Sequence, residues 1–223
     1  MEVRCCGRPP RTHRGAEGSG GGARSRRGPG SADPSGSHGA IRSMKLHLGC
    51  GTHLLDGWTN TDINRPHATL DVRSPFPLAD FTCTHVFAEH LIEHIERDEA
   101  EHMLSECYRV LCHGGKIRIA TPDLRALARM LDYNDEEAQR YLAFQGRTPC
   151  EQVNNLMREG GAHRFIYDDV TLRAALERAG FQLVRRCFLG ESTDPELRWI
   201  ENESRMPPGM LAFESFVLEA TKP

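Results

Sequence analysis

The segment LHLGCGTHLLDGWTNTDI, Leu46 to Ile63, ends a short apolar run in Gly49, Cys50 and Gly51 and places the carboxylate of Asp62 eleven residues past Gly51. Glycine has no Cβ, so main chain at Gly49 and Gly51 can come close to a ligand. A carboxylate just beyond can accept two hydrogen bonds from a ribose diol. A dinucleotide site needs more than this: a third glycine that lets a helix pack close, its N-terminus on the pyrophosphate, and an acidic residue about 20 positions on. Here His53 and Leu54 occupy the third-glycine region, and the short interval to Asp62 leaves room for one helical turn. A pyrophosphate would lose its cradle, whereas a cofactor with an amino-acid tail needs only a bend and a few backbone groups. The spacing favours S-adenosylmethionine over NAD. A tight turn with Asp62 as a turn residue is the competing interpretation.

A second group of chemistry-bearing residues lies at HLIEH, His90 to His94. It matches the His-x-x-Glu-His pattern of inverted zinc peptidases, in which two histidines share one helical face. Such a site needs a third ligand and a helix of its own, and it leaves the glycine bend unexplained, so no metal is expected. Glu93 and His94 are expected to pair or cap at a helix start. Further on, GAHRFIYDD supplies His163, Arg164, Tyr167 and Asp168. Asp168 reads as a helix N-cap, and His163 and Tyr167 as packing residues that could also line an acceptor pocket.

These residues must be positioned by the elements around them. KLHLG, TNTDI, HVFAE and KIRIAT are strand candidates, the last bounded by Gly114, Gly115 and Pro122. Between HVFAE and KIRIAT, Ala100, Met103, Leu104, Cys107, Val110 and Leu111 recur at helical spacing behind the acidic Asp98 and Glu99. Leu124, Leu127, Ala128 and Leu131 repeat the pattern after Asp123, and Leu172, Ala175, Leu176 and Ala179 repeat it before Gly180. Strands alternating with helices predict an α/β fold with a doubly wound, mostly parallel sheet covered on both faces. The last two strands, FQLVRRCFL and SFVLEA, are joined by a long loop without a helix, which predicts an antiparallel pair. Ligands bind such a sheet at the carboxyl ends of its strands, and Gly49 to His53, Asp62, Glu89, His90 and Thr121 to Asp123 all fall there.

In order, LHLGCG, TDI, LDVRSPFPLADFTCTHVFAEHLIEH, ECYRVLCHGGKIRIATPDL and HRFIYDDVTLRAALERAGF resemble the motifs of class I S-adenosylmethionine-dependent methyltransferases, over Lys45 to about Phe181. The closest likeness is to small-molecule methyltransferases of the type 11 kind. The resemblance implies a Rossmann-like, three-layer αβα fold with a seven-stranded sheet carrying an antiparallel edge strand. It implies Gly49, Cys50 and Gly51 at the methionine end of the cofactor, Asp62 on the ribose, Asp71 facing the adenine amino group and Val72 beside it. It also implies that Glu89 and His90 face the methyl group, with His90 the first candidate for a general base and Glu89 the second. Two positions depart from the pattern: Cys112 and His113 precede the glycine pair where Lys-Pro is frequent, and Glu89 stands where small polar residues are common.

Composition bounds the rest. Residues 1–43 hold ten of the 21 glycines and carry eight arginines against three acids, so they are expected to form a disordered arm ahead of a methyltransferase domain at 44–223. Met44 is a candidate second translation start. The body is acidic, with 20 basic and 28 acidic residues, which argues against broad binding to a phosphate backbone. There is no membrane-length apolar run and no signal-peptide core, and the scattered cysteines suggest core fillers. A cytoplasmic protein acting on a small-molecule or sugar-like acceptor is expected, with no membrane partner and no strong nucleic-acid signal. Residues 132–162 read as an insertion that covers the acceptor. Two other functions stay open on the residues alone: a catalytically silent S-adenosylmethionine-binding protein acting through partners, and an NAD-dependent oxidoreductase.

Overall fold

A computed structural model of the chain describes residues 44–64 and 68–223. The expected arm, with Cys5 and Cys6, lies outside the described residues.

Strand β1 (Met44–Leu48) pairs in parallel with β2 (Thr59–Thr61) on one side and β3 (Cys83–Glu89) on the other. Helix α1 (Arg97–Val110) begins at a capping box, in which Glu96 and Glu99 each take the other's backbone N–H. It buries Ala100, Met103, Leu104, Cys107 and Val110, the stripe expected from their spacing. Strand β4 (Leu111–Pro122) then returns parallel to β3. Asp123 caps α2 (Leu124–Arg129) by accepting from Arg125 N–H. This helix buries Ala126 and Leu127, with Met130 just past its end, and leaves Leu124 and Leu131 exposed, so the inward face is rotated from the expected one.

The insertion forms α3 (Glu136–Gln145) and α4 (Pro149–Arg158), followed by α5 (Asp169–Arg178), β5 (Gln182–Cys187), the short α6 (Met210–Glu214) and β6 (Ser215–Thr221). Sheet order is β2-β1-β3-β4-β6-β5. Strand β6 runs antiparallel to both β4 and β5, so the expected antiparallel pairing of the last two strands is present.

Six strands form among the described residues, not seven. Beyond β2 there is only an isolated parallel bridge, Asp62 to Thr69. The chain cannot extend it into a ladder: the Asp71 carboxylate turns back onto the Arg73 N–H, and Pro75 and Pro77 follow, each lacking a donor.

Alternation along the strands divides the sheet into two faces. Leu46, Leu48, Val86, Ala88, Ile117 and Ile119 pack in the main core, where α1 and α5 also bury their apolar stripes. Cys83 and Cys107 belong to the same core, as small fillers. Their neighbours in sequence, His47, Phe87 and Arg118, are buried as well, on the opposite face. There Phe87 packs with Leu197 and Ile200, backed by Leu55 and Trp58, so segments between strands form that cover. A separate cluster joins α2, α3, α4 and α6 through Leu127, Met130, Tyr141, Leu142, Leu156 and Phe213. Among the described residues no helix is long and apolar enough to cross a membrane.

Candidate functional site

At the carboxyl ends of β1, β2 and β3, Gly49, Asp62, Asp71, Val72, Leu91 and His94 line one cavity of about 240 Å³. Gly49 has φ 62°, and a Cβ there would lie 2.8 Å from Cδ1 of Leu91 on the cavity wall. Glycine is needed on both counts. The N–H of Gly51 donates to Oδ2 of Asp62 at 3.0 Å, and the N–H of Asn64 donates to Oδ1 at 2.9 Å. Each carboxylate oxygen keeps a lone pair for a further donor. The bend and the carboxylate picked out in the sequence are thus in direct contact. Cys50 sits beneath them, buried, with its N–H on the Thr61 carbonyl at 2.9 Å.

Asp71 also reaches the cavity, but its carboxylate is clasped by Arg73 through Nε at 2.9 Å and a terminal nitrogen at 2.9 Å. These bonds hold the carboxyl below its ordinary range.

His90 lies just past β3 with φ 48° and donates its N–H to the Ala120 carbonyl. Its Nε2 is 2.9 Å from Oγ of Ser215, and its Nδ1 is 3.2 Å from Oε1 of Glu93. Oε2 of Glu93 accepts from the Thr121 hydroxyl at 2.9 Å. Glu93 is fully buried, which opposes its ionisation, yet the contact with His90 and the charges of His90 and His94 outweigh burial and hold its carboxyl below the ordinary value. Only a single 3-10 turn forms here, Ile92–His94, so His90 and His94 do not share a helical face as the zinc-peptidase pattern requires. Glu89 points elsewhere: both its oxygens accept from the N–H of Asn202, at 3.1 and 3.0 Å, and Arg205 is 3.7 Å away. Asp168 caps α5 by accepting from Thr171 N–H. Tyr167 is buried against Phe165, and burial pushes its hydroxyl up to about 12.

The sequence gives little warning of what lies on the far side of His90. Ser215 lines a second cavity of about 450 Å³, together with Arg186, Phe188, Pro207, Leu211 and Phe216. Its wall is the long segment between β5 and β6, held to the sheet by Arg118. This arginine is fully buried and donates to Glu201 at 2.5 Å, to Glu219 at 2.6 Å and to the Glu191 carbonyl at 2.9 Å. A loop too long for a hairpin, and a lone arginine within the apolar run KIRIAT, are the signals that point to it.

The family model for a methyltransferase domain matches residues 57–119, from the β1–β2 connection into β4. The chain is similar to a solved S-adenosylmethionine-dependent methyltransferase from Archaeoglobus fulgidus, at 16% identity and TM-score 0.50, over 81% of this chain and 86% of that one. The fold is that of a class I S-adenosylmethionine-dependent methyltransferase. A Thermotoga maritima methyltransferase described as a possible histamine N-methyltransferase is also similar, at 16% identity and TM-score 0.47, over 81% of this chain and 82% of that one. No curated protein sequence matches the chain. In a methyltransferase fold the 240 Å³ cavity lies where the sheet rule puts a ligand, outside the carboxyl ends of adjacent parallel strands.

Proposed function

We propose that the protein transfers a methyl group from S-adenosylmethionine to a small-molecule acceptor, with the cofactor between Gly49 and Asp71 and the acceptor in the cavity beside Ser215. The observation that carries this is the bond from Gly51 N–H to Asp62, which fixes a close-approach bend and an anionic diol acceptor on one cavity wall. The residues suit the cofactor: Gly49 leaves main chain open to the amino-acid end, and Asp62 retains acceptor capacity for the ribose hydroxyls. Asp71 meets the adenine amino group when Arg73, which is half exposed, releases one oxygen.

When bound, S-adenosylmethionine would supply a methyl carbon on a positively charged sulfur, itself a good leaving group. The protein's main task is then alignment, by holding two partners on either side of His90. With the imidazole proton on Nδ1, Nε2 of His90 accepts the Ser215 hydroxyl proton, so a proton lost by the acceptor passes through Ser215 to His90. Glu89 acts as a tether: its carboxylate fastens Asn202 and, with it, the acceptor wall. That cavity is lined by Phe188, Leu211 and Phe216 together with Arg186 and Glu203, which suits a compact acceptor with a polar end. The insertion contributes indirectly, since α3 and α4 brace α6 and α6 forms part of the wall.

Calorimetry with S-adenosylmethionine, S-adenosylhomocysteine and NAD tests the cofactor assignment. The first two are expected to bind with one site per chain and NAD not at all; NAD binding alone would overturn it. Incubation of labelled cofactor with a metabolite extract then tests turnover, and methylated product of low mass is the expected result. Cofactor binding without any product would favour the silent protein.

A further inference from the structure

Beside His90, Glu93 belongs to a second cluster of side chains that the proposed methyl transfer does not explain. Among the described residues, a carboxylate oxygen of Glu93, a ring nitrogen of His94 and a ring nitrogen of His163 lie within 4.8 Å of one another. Glu159 stands at the same spot: its Oε2 is 2.7 Å from Nε2 of His163 and 3.7 Å from Nε2 of His94. Two imidazoles and two carboxylates come from two separate stretches of chain, the turn after β3 and the end of the insertion.

Three features prepare these groups to hold a cation. Glu93 is fully buried, and Oε1, which lies near His90 but off its hydrogen-bonding direction, has no hydrogen-bond partner. Its other oxygen is held by Thr121, which fixes the carboxylate. His163 is buried with Nδ1 bonded to the Leu156 carbonyl, which leaves Nε2 as the outward donor. An imidazole oriented by a carbonyl on its other nitrogen is the usual supporting arrangement at metal sites. Finally, the Glu93 carbonyl accepts from both Arg164 N–H at 2.7 Å and Phe165 N–H at 3.2 Å, so main-chain bonds already set the two stretches side by side.

We propose that Glu93, His94, His163 and Glu159 bind one divalent transition-metal cation of the zinc type, which clasps the end of the insertion to the turn after β3. Imidazole donors select such an ion over magnesium or calcium. Metal–ligand bonds of about 2.0–2.1 Å place tetrahedral donors about 3.3 Å apart, so donors that now lie within 4.8 Å of one another adjust their spacing on binding. The carboxylates of Glu93 and Glu159 offset the cation: with two neutral imidazoles they leave the site electrically neutral. Because His94 also lines the cofactor cavity, the clasp stiffens one wall of that cavity.

The test uses the full chain, stripped with a chelator and titrated with zinc and with cobalt(II). One ion per chain is expected, with the visible absorption of tetrahedral cobalt. His94→Ala/His163→Ala should remove that absorption, Thr121→Val should weaken binding by about 10- to 100-fold, and His113→Ala, on the distant β4 turn, should leave it unchanged. Binding by the double variant equal to that of the parent chain would overturn the proposal. X-ray absorption of the zinc-loaded parent chain gives a result that depends on no variant: a shell of nitrogen and oxygen with imidazole scattering is expected, and a sulfur-containing shell or no stoichiometric binding would refute the site. S-adenosylmethionine calorimetry on the stripped chain separates this outcome from the cofactor assignment, which does not depend on the metal.

Discussion

Replacing Arg118 by Met tests how the segment between β5 and β6 is held. Arg118 has no solvent exposure, and its two carboxylate partners are almost equally buried, with side chains 0% exposed at Glu201 and 4% at Glu219. Removing one member of a buried ion pair typically costs about 3–5 kcal/mol, because the partner's charge is left uncompensated. The two acids do not suffer alike. Glu219 keeps Arg185, whereas Glu201 keeps only the N–H of Gly190 at 2.9 Å. One carboxylate is therefore orphaned, and the lower end of that range applies, about 3 kcal/mol. For a domain of this size 1 kcal/mol moves the melting temperature by about 2–4 °C, so thermal unfolding followed by circular dichroism should show a loss of about 6–12 °C. Arg118→Met/Glu201→Gln removes the stranded charge and should recover more than half of it. Cofactor affinity should change less than twofold, since Arg118 touches nothing in the 240 Å³ cavity. A single variant that melts within 2 °C of the parent, or a double variant no better than the single, would refute the account.

Asp62→Ala should weaken S-adenosylmethionine binding by roughly 10- to 100-fold in calorimetry, the value of one charge-assisted hydrogen bond or slightly more; unchanged affinity would remove Asp62 from the ribose. His90→Asn, which tolerates the left-handed backbone at that position, should slow transfer by about 10²–10⁴-fold while cofactor affinity stays within twofold. Loss of both together would make His90 a structural residue. His47 supplies a pH dependence: burial, helped by His53 and partly opposed by the Asn60 bond, lowers it from 6.5 to about 4. The unfolded chain therefore binds a proton between those values that the folded chain refuses, so this stability is complete above pH 6.5 and is lost as pH falls toward 4. The full loss is about 3 kcal/mol. Urea titrations from pH 7.5 to 4.5 should show a shallower decline in His47→Gln, and parallel slopes would exclude His47 as the source.

Sequence periodicity predicted the elements well where one face is apolar. Helix α1 is the example: its stripe and its acidic first turn follow from residue type. The contact between the glycine bend and Asp62 was legible for a related reason. Gly49, Gly51 and Asp62 lie close in sequence, and a short loop can bring them together in few ways. What the sequence hid depends on contacts between distant residues. His90 meets Ser215 across 125 positions, and Glu89 meets Asn202 across 113. No local pattern encodes those meetings. The missing strand is also intelligible afterwards, since the Asp71–Arg73 turn and two prolines interrupt the run that would have formed it.

The sheet's second face is a row of polar and aromatic side chains, His47, Phe87 and Arg118, roofed by connecting segments instead of by a long helix. A roof of that kind is fastened at points: Glu89 grips Asn202, Arg118 grips Glu201 and His53 reaches the Ile200 carbonyl at 3.0 Å. Residues 203–209 lie beyond these fasteners and supply part of the lining of the 450 Å³ cavity. Their exchange for another sequence would leave these three anchors in place, which makes this stretch a cassette through which the shape of that cavity can drift while the cavity at the carboxyl ends of β1, β2 and β3 is preserved.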